Sequence, residues 1–197
     1  IMANTPFTVP RLVDEGAWLD WRGKYSNGYA GFGDRPLANI RFAVPHHSVT
    51  NPTGNAEQDV NTLFNIHKSN GWGMIGYHFV ITSEVVNGFA KIAYVGDIGS
   101  IRAHAPNTKG AYGLQTNYGN HYLVGACIIG QNHLQMPSQA QLRSMKLLMQ
   151  ELLWFEDARL PNLTNTWDDM REHKVWDWTQ CNGLDQIRGA IIDATIP

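Results

Sequence analysis

Two imidazoles and a thiolate in this chain stand where they can share one divalent metal ion. His173 and Cys181 lie eight positions apart in Arg171-Glu-His-Lys-Val-Trp-Asp-Trp-Thr-Gln-Cys181, and far upstream the pair His46-His47 ends the apolar run Phe42-Ala-Val-Pro45. Two neutral imidazoles and a thiolate fill three corners of a Zn²⁺ tetrahedron; a fourth corner left to water makes such a site catalytic rather than structural. The set leaves a net +1 charge on the metal. That charge acidifies a water to a pKa of ~7 and polarises a carbonyl, which is what amide hydrolysis at neutral pH requires. His46 and His47 are neighbours on an expected strand, so they point to opposite faces and only one can reach a given metal. Spacing alone does not choose between them.

The elements that must position these groups follow from pattern. Arg41 to His46 reads as a strand whose Pro45 marks an end or an edge, and Asn51-Pro-Thr-Gly54 reads as a turn. Asn55 with Gln58 three positions on starts a helix over 56–70, with Val60, Leu63, Phe64 and His67 on one stripe and Gly71 as its stop. Ile75 to Thr82 and Phe89 to Val95 are β-rich segments joined across Asn87-Gly88, the signature of a hairpin. Residues 97–120 form a long loop, and 122–129 is a strand buried on both faces that closes the sheet. Ser138 and Gln141 make a capping box for a helix reaching about Arg159, and 184–193 forms a last helix. Residues 11–22 read as a short helix or an irregular arm, 23–36 as loop and 161–179 as mostly loop.

Bulk properties narrow the class. A chain of 197 residues with no break in composition is one domain with a substantial core. A formal charge of −2 and the absence of any basic cluster exclude a phosphate-backbone partner, so no nucleic acid is expected. No apolar stretch approaches the ~20 residues that cross a bilayer, so no membrane insertion is expected, and the amino terminus has no charged region leading an apolar core. Cys127 sits in the buried strand, and a pair of cysteines this sparse does not make a disulfide scaffold.

Five motifs in order resemble one family. His46-His47-Ser48, Gly76-Tyr-His-Phe79, Ala103-His-Ala105, Gly125-Ala-Cys-Ile-Ile-Gly130 and His173 through Thr179-Gln-Cys181 are similar to the zinc-dependent N-acetylmuramoyl-L-alanine amidases of type 2, which include bacteriophage endolysins and peptidoglycan recognition proteins. The likeness runs from about residue 38 to about 192. It implies an α/β fold, a mixed central β-sheet flanked by helices, with 1–37 an arm and loops of the same domain and 38–197 the zinc amidase catalytic domain. It implies a zinc ion held by His46, His173 and Cys181, with Tyr77 near the reacting carbonyl. Phage members often carry lysine two residues before the cysteine; this chain has Thr179, a hydroxyl donor without charge. His104, in the loop bordering the cleft, and His78, Trp72 and Trp176 are the candidate substrate contacts. Glu84 is the one carboxylate near Gly76-Tyr-His-Phe79 that can be weighed as a general base. His67, His121 and His133 read as ordinary core or surface histidines.

The implied activity is cleavage of the lactyl-amide bond between N-acetylmuramic acid and L-alanine in bacterial peptidoglycan, as in a phage endolysin made in the host cytoplasm and acting on its wall. A separate wall-binding domain is common in such proteins. Two rivals remain: a non-catalytic muropeptide-binding module, against which Cys181 argues, and a zinc peptidase acting within the stem peptide. A structural zinc clip would need four protein ligands, and only three are present.

Overall fold

The computed structural model describes residues 6–27, 32–105, 108, 113–132, 134–154, 166–170 and 184–197. A five-stranded sheet forms its centre. In chain order the elements are α1 (Pro10–Asp14), β1 (Trp18–Asp20), a 3₁₀ turn (Leu37–Asn39), β2 (Phe42–His47), α2 (Ala56–Ser69), β3 (Phe79–Val86), β4 (Phe89–Tyr94), α3 (Gly119–Tyr122), β5 (Leu123–Ile128), α4 (Gln139–Leu153), a 3₁₀ turn (Trp167–Asp169) and α5 (Leu184–Asp193). Strand order is β1-β4-β3-β5-β2; β3 and β4 are antiparallel and every other neighbour pair is parallel. This is the mixed sheet flanked by helices that the motifs implied.

Side-chain alternation divides the core into two layers. Phe79, Ile81, Ile92, Tyr94, Val124, Ala126 and Ile128 face α4 and α5, where Leu142, Met145, Leu148, Met149, Ile187 and Ile191 meet them. Val80, Ala93, Cys127 and Ile129 face the other way, onto Val60 and Leu63 of α2. Both layers are dry, so β5 is buried at all six positions, as its unbroken apolar run requires. It does not close the sheet, however. β5 lies between β3 and β2, and β2 takes the edge, where Pro45 costs no ladder hydrogen bond.

The local chemistry acts as patterned. Asn55 Oδ1 accepts from Gln58 N–H at the start of α2, and Gly71 takes a φ of 81° just past its end. Asn87 and Gly88 both adopt positive φ, 48° and 82°, in the β3–β4 turn. Both bonds of the Ser138–Gln141 capping box are present, and α4 ends at Leu153, short of the expected Arg159. Strand β1 was not anticipated: three residues are too few for a period, and its pairing with β4 is purely tertiary. Among the described residues no helix is long and apolar enough to cross a membrane.

Candidate functional site

Alternation settles which histidine of the pair faces where. Ala43 belongs to the α4 layer, so Pro45 and His47 share its side and Val44 and His46 take the opposite one. His46 is 1% exposed and is paired in register with Cys127. Its ring lies 4.9 Å from that of Tyr77 and 5.0 Å from that of His104, the latter edge-on. Tyr77 in turn lies 5.5 Å from the ring of His67, which packs 4.7 Å from Trp72. Three separate pieces of chain therefore converge on His46: the end of α2, the segment 72–77 before β3, and the segment 103–105.

Close backbone approach permits this. A Cβ on Gly76 would lie 2.9 Å from Ala103 O and 3.0 Å from the Trp72 ring, so only glycine lets these two segments touch. His67 holds the first of them: its carbonyl accepts from Trp72 N–H at 2.9 Å and its Nδ1 accepts from Gly76 N–H at 3.0 Å. The ring proton of His67 is thus on Nε2.

The same accounting assigns the other rings. Leu123 O lies 3.1 Å from His104 Nε2, and a carbonyl can only accept, so that nitrogen carries the proton. His104 Nδ1 is then the acceptor in its 3.0 Å contact with His46 Nε2, which must donate. His46 is left with its lone pair on Nδ1. His78 Nδ1 accepts from Gly125 N–H at 3.1 Å, and its Nε2–H donates to Ser100 O at 3.0 Å. Arg35 Nη2 approaches that protonated nitrogen to 3.2 Å, a contact between two donors, while its other bonds go to the carbonyls of Ile98, Asn120 and Leu123.

Burial keeps His67 and His78 neutral. It lowers His67 to about 4, and it holds His78 well below the ordinary histidine value, with the positive charge of Arg35 adding to it. Desolvation brings Arg35 itself down to about 9, still cationic at neutral pH. The cluster thus combines buried imidazoles, a phenol and a partly buried tryptophan.

The structure places His46, Tyr77 and His104 together, with Trp72 joined to them through His67. His173, Thr179, Cys181 and Trp176 lie outside the described residues, as does His133. Among the described residues no group of three His, Cys, Asp or Glu side chains is placed to hold a metal. His78 was expected against substrate, but it is fully buried and spends both ring nitrogens inside the protein. Glu84 sits at the far part of β3, bonded to Lys91 Nζ at 2.6 Å and to Ala56 N–H at the start of α2, away from Tyr77. Two residues of the cluster were not expected there. His67, read from sequence as an ordinary core or surface histidine, carried a usable signal, the fourth place on the stripe of α2; Arg35, in a glycine-rich loop, carried none.

Comparison with known proteins agrees with this geometry. A family profile described as N-acetylmuramoyl-L-alanine amidase matches residues 36–184. The structure resembles N-acetylmuramoyl-L-alanine amidase LysC from Clostridium intestinale URNW, with a TM-score of 0.58 and 23% identity over 89% of this chain and 97% of that one. It resembles the Ph2119 endolysin from Thermus scotoductus MAT2119 bacteriophage Ph2119 with a TM-score of 0.59 and 15% identity, over 88% and 97% of the two chains. Wild-type Drosophila PGRP-LB gives 0.54 and 21%, over 83% and 82%. No curated protein sequence matches. Identities this low speak for the fold alone, whereas the profile spans most of the chain, motifs included, and on that ground the chain belongs to the N-acetylmuramoyl-L-alanine amidase family.

Proposed function

We propose that this chain is a zinc-dependent N-acetylmuramoyl-L-alanine amidase that cleaves the bond between the lactyl group of N-acetylmuramic acid and L-alanine, acting as the catalytic domain of a phage endolysin on the wall of its host. The observation that carries the reading is His46: a buried imidazole whose Nε2 is engaged by His104, set beside a tyrosine ring in a chain of this family. Such a donor fits zinc, which takes neutral imidazole and thiolate, and His173 and Cys181 would complete the set. Zinc bound there would supply Lewis acidity, lowering a water's pKa to ~7 and polarising the amide carbonyl.

The chain's own groups do the rest. The Tyr77 phenol donates a hydrogen bond to the carbonyl oxygen as negative charge grows on it, and the Thr179 hydroxyl is a second such donor. Water oxygen bonds to the carbonyl carbon, the C–N bond breaks, and the proton leaves with the L-alanine amine. Trp72, partly buried against His67, offers a face for the glycan or peptide. Membership of the amidase family supports peptidoglycan as partner, and the phage setting rests on the resemblance of the motifs to endolysins.

The test combines metal analysis with product analysis. Purified protein should contain one zinc per chain, and digested sacculi should show new L-alanine amino termini with intact stem peptides by mass spectrometry. Cys181→Ala should lose both zinc and activity. New termini within the stem would make the protein a peptidase; binding to sacculi without any cleavage would make it a recognition module.

A further inference from the structure

We infer that His104 is a positioning residue: it holds His46 in the one tautomer that presents Nδ1, rather than Nε2, to the metal. This rests on the zinc reading above and adds the part that sets the ligand atom.

His104 sits in a built seat. Its ring lies flat on Gly125, where a Cβ would come within 2.7–2.9 Å of the ring atoms Cγ, Nδ1 and Cδ2, so β5 must carry glycine at that register for the imidazole to fit. Asn120 Oδ1 accepts from the backbone N–H of both His104, at 3.1 Å, and Ala105, at 2.8 Å, which fixes the segment carrying the ring. Leu123 O fixes the ring's rotation by accepting from Nε2–H. The same carbonyl accepts from Arg35 Nη1 at 2.7 Å, and Arg35 also bonds Asn120 O, so one buried guanidinium braces both anchors of His104.

This arrangement has a chemical direction. A half-turn of the His104 ring would put carbon at the Leu123 and His46 contacts and leave a buried carbonyl and a buried N–H each with one partner fewer. With the ring held, His46 Nε2–H meets an acceptor in His104 Nδ1, and that bond puts the lone pair of the His46 ring on Nδ1. The partner that orients a zinc-bound histidine is often a carboxylate or carbonyl. Here it is an imidazole, which orients His46 without adding negative charge and so takes nothing from the site's net +1 or its Lewis acidity.

Zinc affinity by chelator competition and long-range ¹H–¹⁵N correlation spectra of the full chain test this. In the zinc-loaded wild type His46 should keep its proton on Nε2 and show a metal-shifted Nδ1. His104→Phe, which fills the seat without nitrogens, should bind zinc ~10–100-fold more weakly and show both His46 tautomers when metal-free. His104→Asn, which returns an acceptor near the Nδ1 position, should recover much of that loss. Gly125→Ala, which displaces the ring instead of removing it, should weaken zinc in the same way. Unchanged zinc affinity in His104→Phe, or zinc on His46 Nε2 in the wild type, would overturn the inference while leaving the amidase reading intact. A wild type that binds no zinc would overturn both. The wild-type spectrum decides even where a substituted chain does not fold.

Discussion

At the scale of single residues, the site separates groups that touch the reaction from groups that hold them. In the proposed mechanism Tyr77 is of the first kind. Tyr77→Phe removes one donor to the developing oxyanion and no metal ligand, so kcat should fall ~10²–10³-fold with zinc content unchanged; a parallel loss of zinc would place the tyrosine in the metal's support instead. His67 is of the second kind, and its burial has a pH signature. Its folded pKa, about 4, lies below the unfolded value near 6.5, so between those pH values the unfolded chain binds a proton that the folded chain refuses. Stability is therefore full above pH 6.5 and falls as pH drops toward 4, by about 3 kcal/mol from this ring alone. His67→Asn, which keeps an acceptor for Gly76 N–H, should flatten that part of the curve in urea unfolding at pH 7, 5 and 4. An unchanged slope would mean the ring is wetter than its 5% exposure indicates.

At the scale of elements, most of what the chain specifies locally is realised. The Asn55 cap, the Asn87-Gly88 turn and the Ser138–Gln141 box each use bonds between residues two to four apart, so neighbouring sequence suffices to define them. Ser138→Ala should cost about 1 kcal/mol in thermal or denaturant unfolding and leave the cluster around His46 untouched, because α4 packs on the opposite face of the sheet. Strand β1 and the edge position of β2 were not legible in this way. Both depend on which strand is neighbour to which, and pairing order in a mixed sheet is set by long-range contacts that leave no period in the chain.

At the scale of the whole molecule, the proposed metal links β2, in the first quarter of the sequence, to the segment 173–181 close to its end. Ligand binding that only the folded state supports raises stability by about 4 kcal/mol at a thousandfold excess over Kd. Removing zinc with a chelator should accordingly lower the unfolding midpoint by several degrees, and added zinc should restore it; no shift in either direction would show that the ion is not bound in the native state. By itself the amino-acid sequence determined the residue types of the site, the family they belong to, the helix caps, the hairpin and the two-faced burial of β5, because each is written in adjacent residues or in motifs kept in order. Only the tertiary structure turned His46 toward Tyr77 and His104, engaged both ring nitrogens of His78 inside the protein, held Glu84 at Lys91, and brought Arg35, Gly125 and His67 to the support of that cluster. Those outcomes turn on which face of the sheet a side chain takes and which group it meets across 19 to 88 residues of chain, and such distances close only when the core packs.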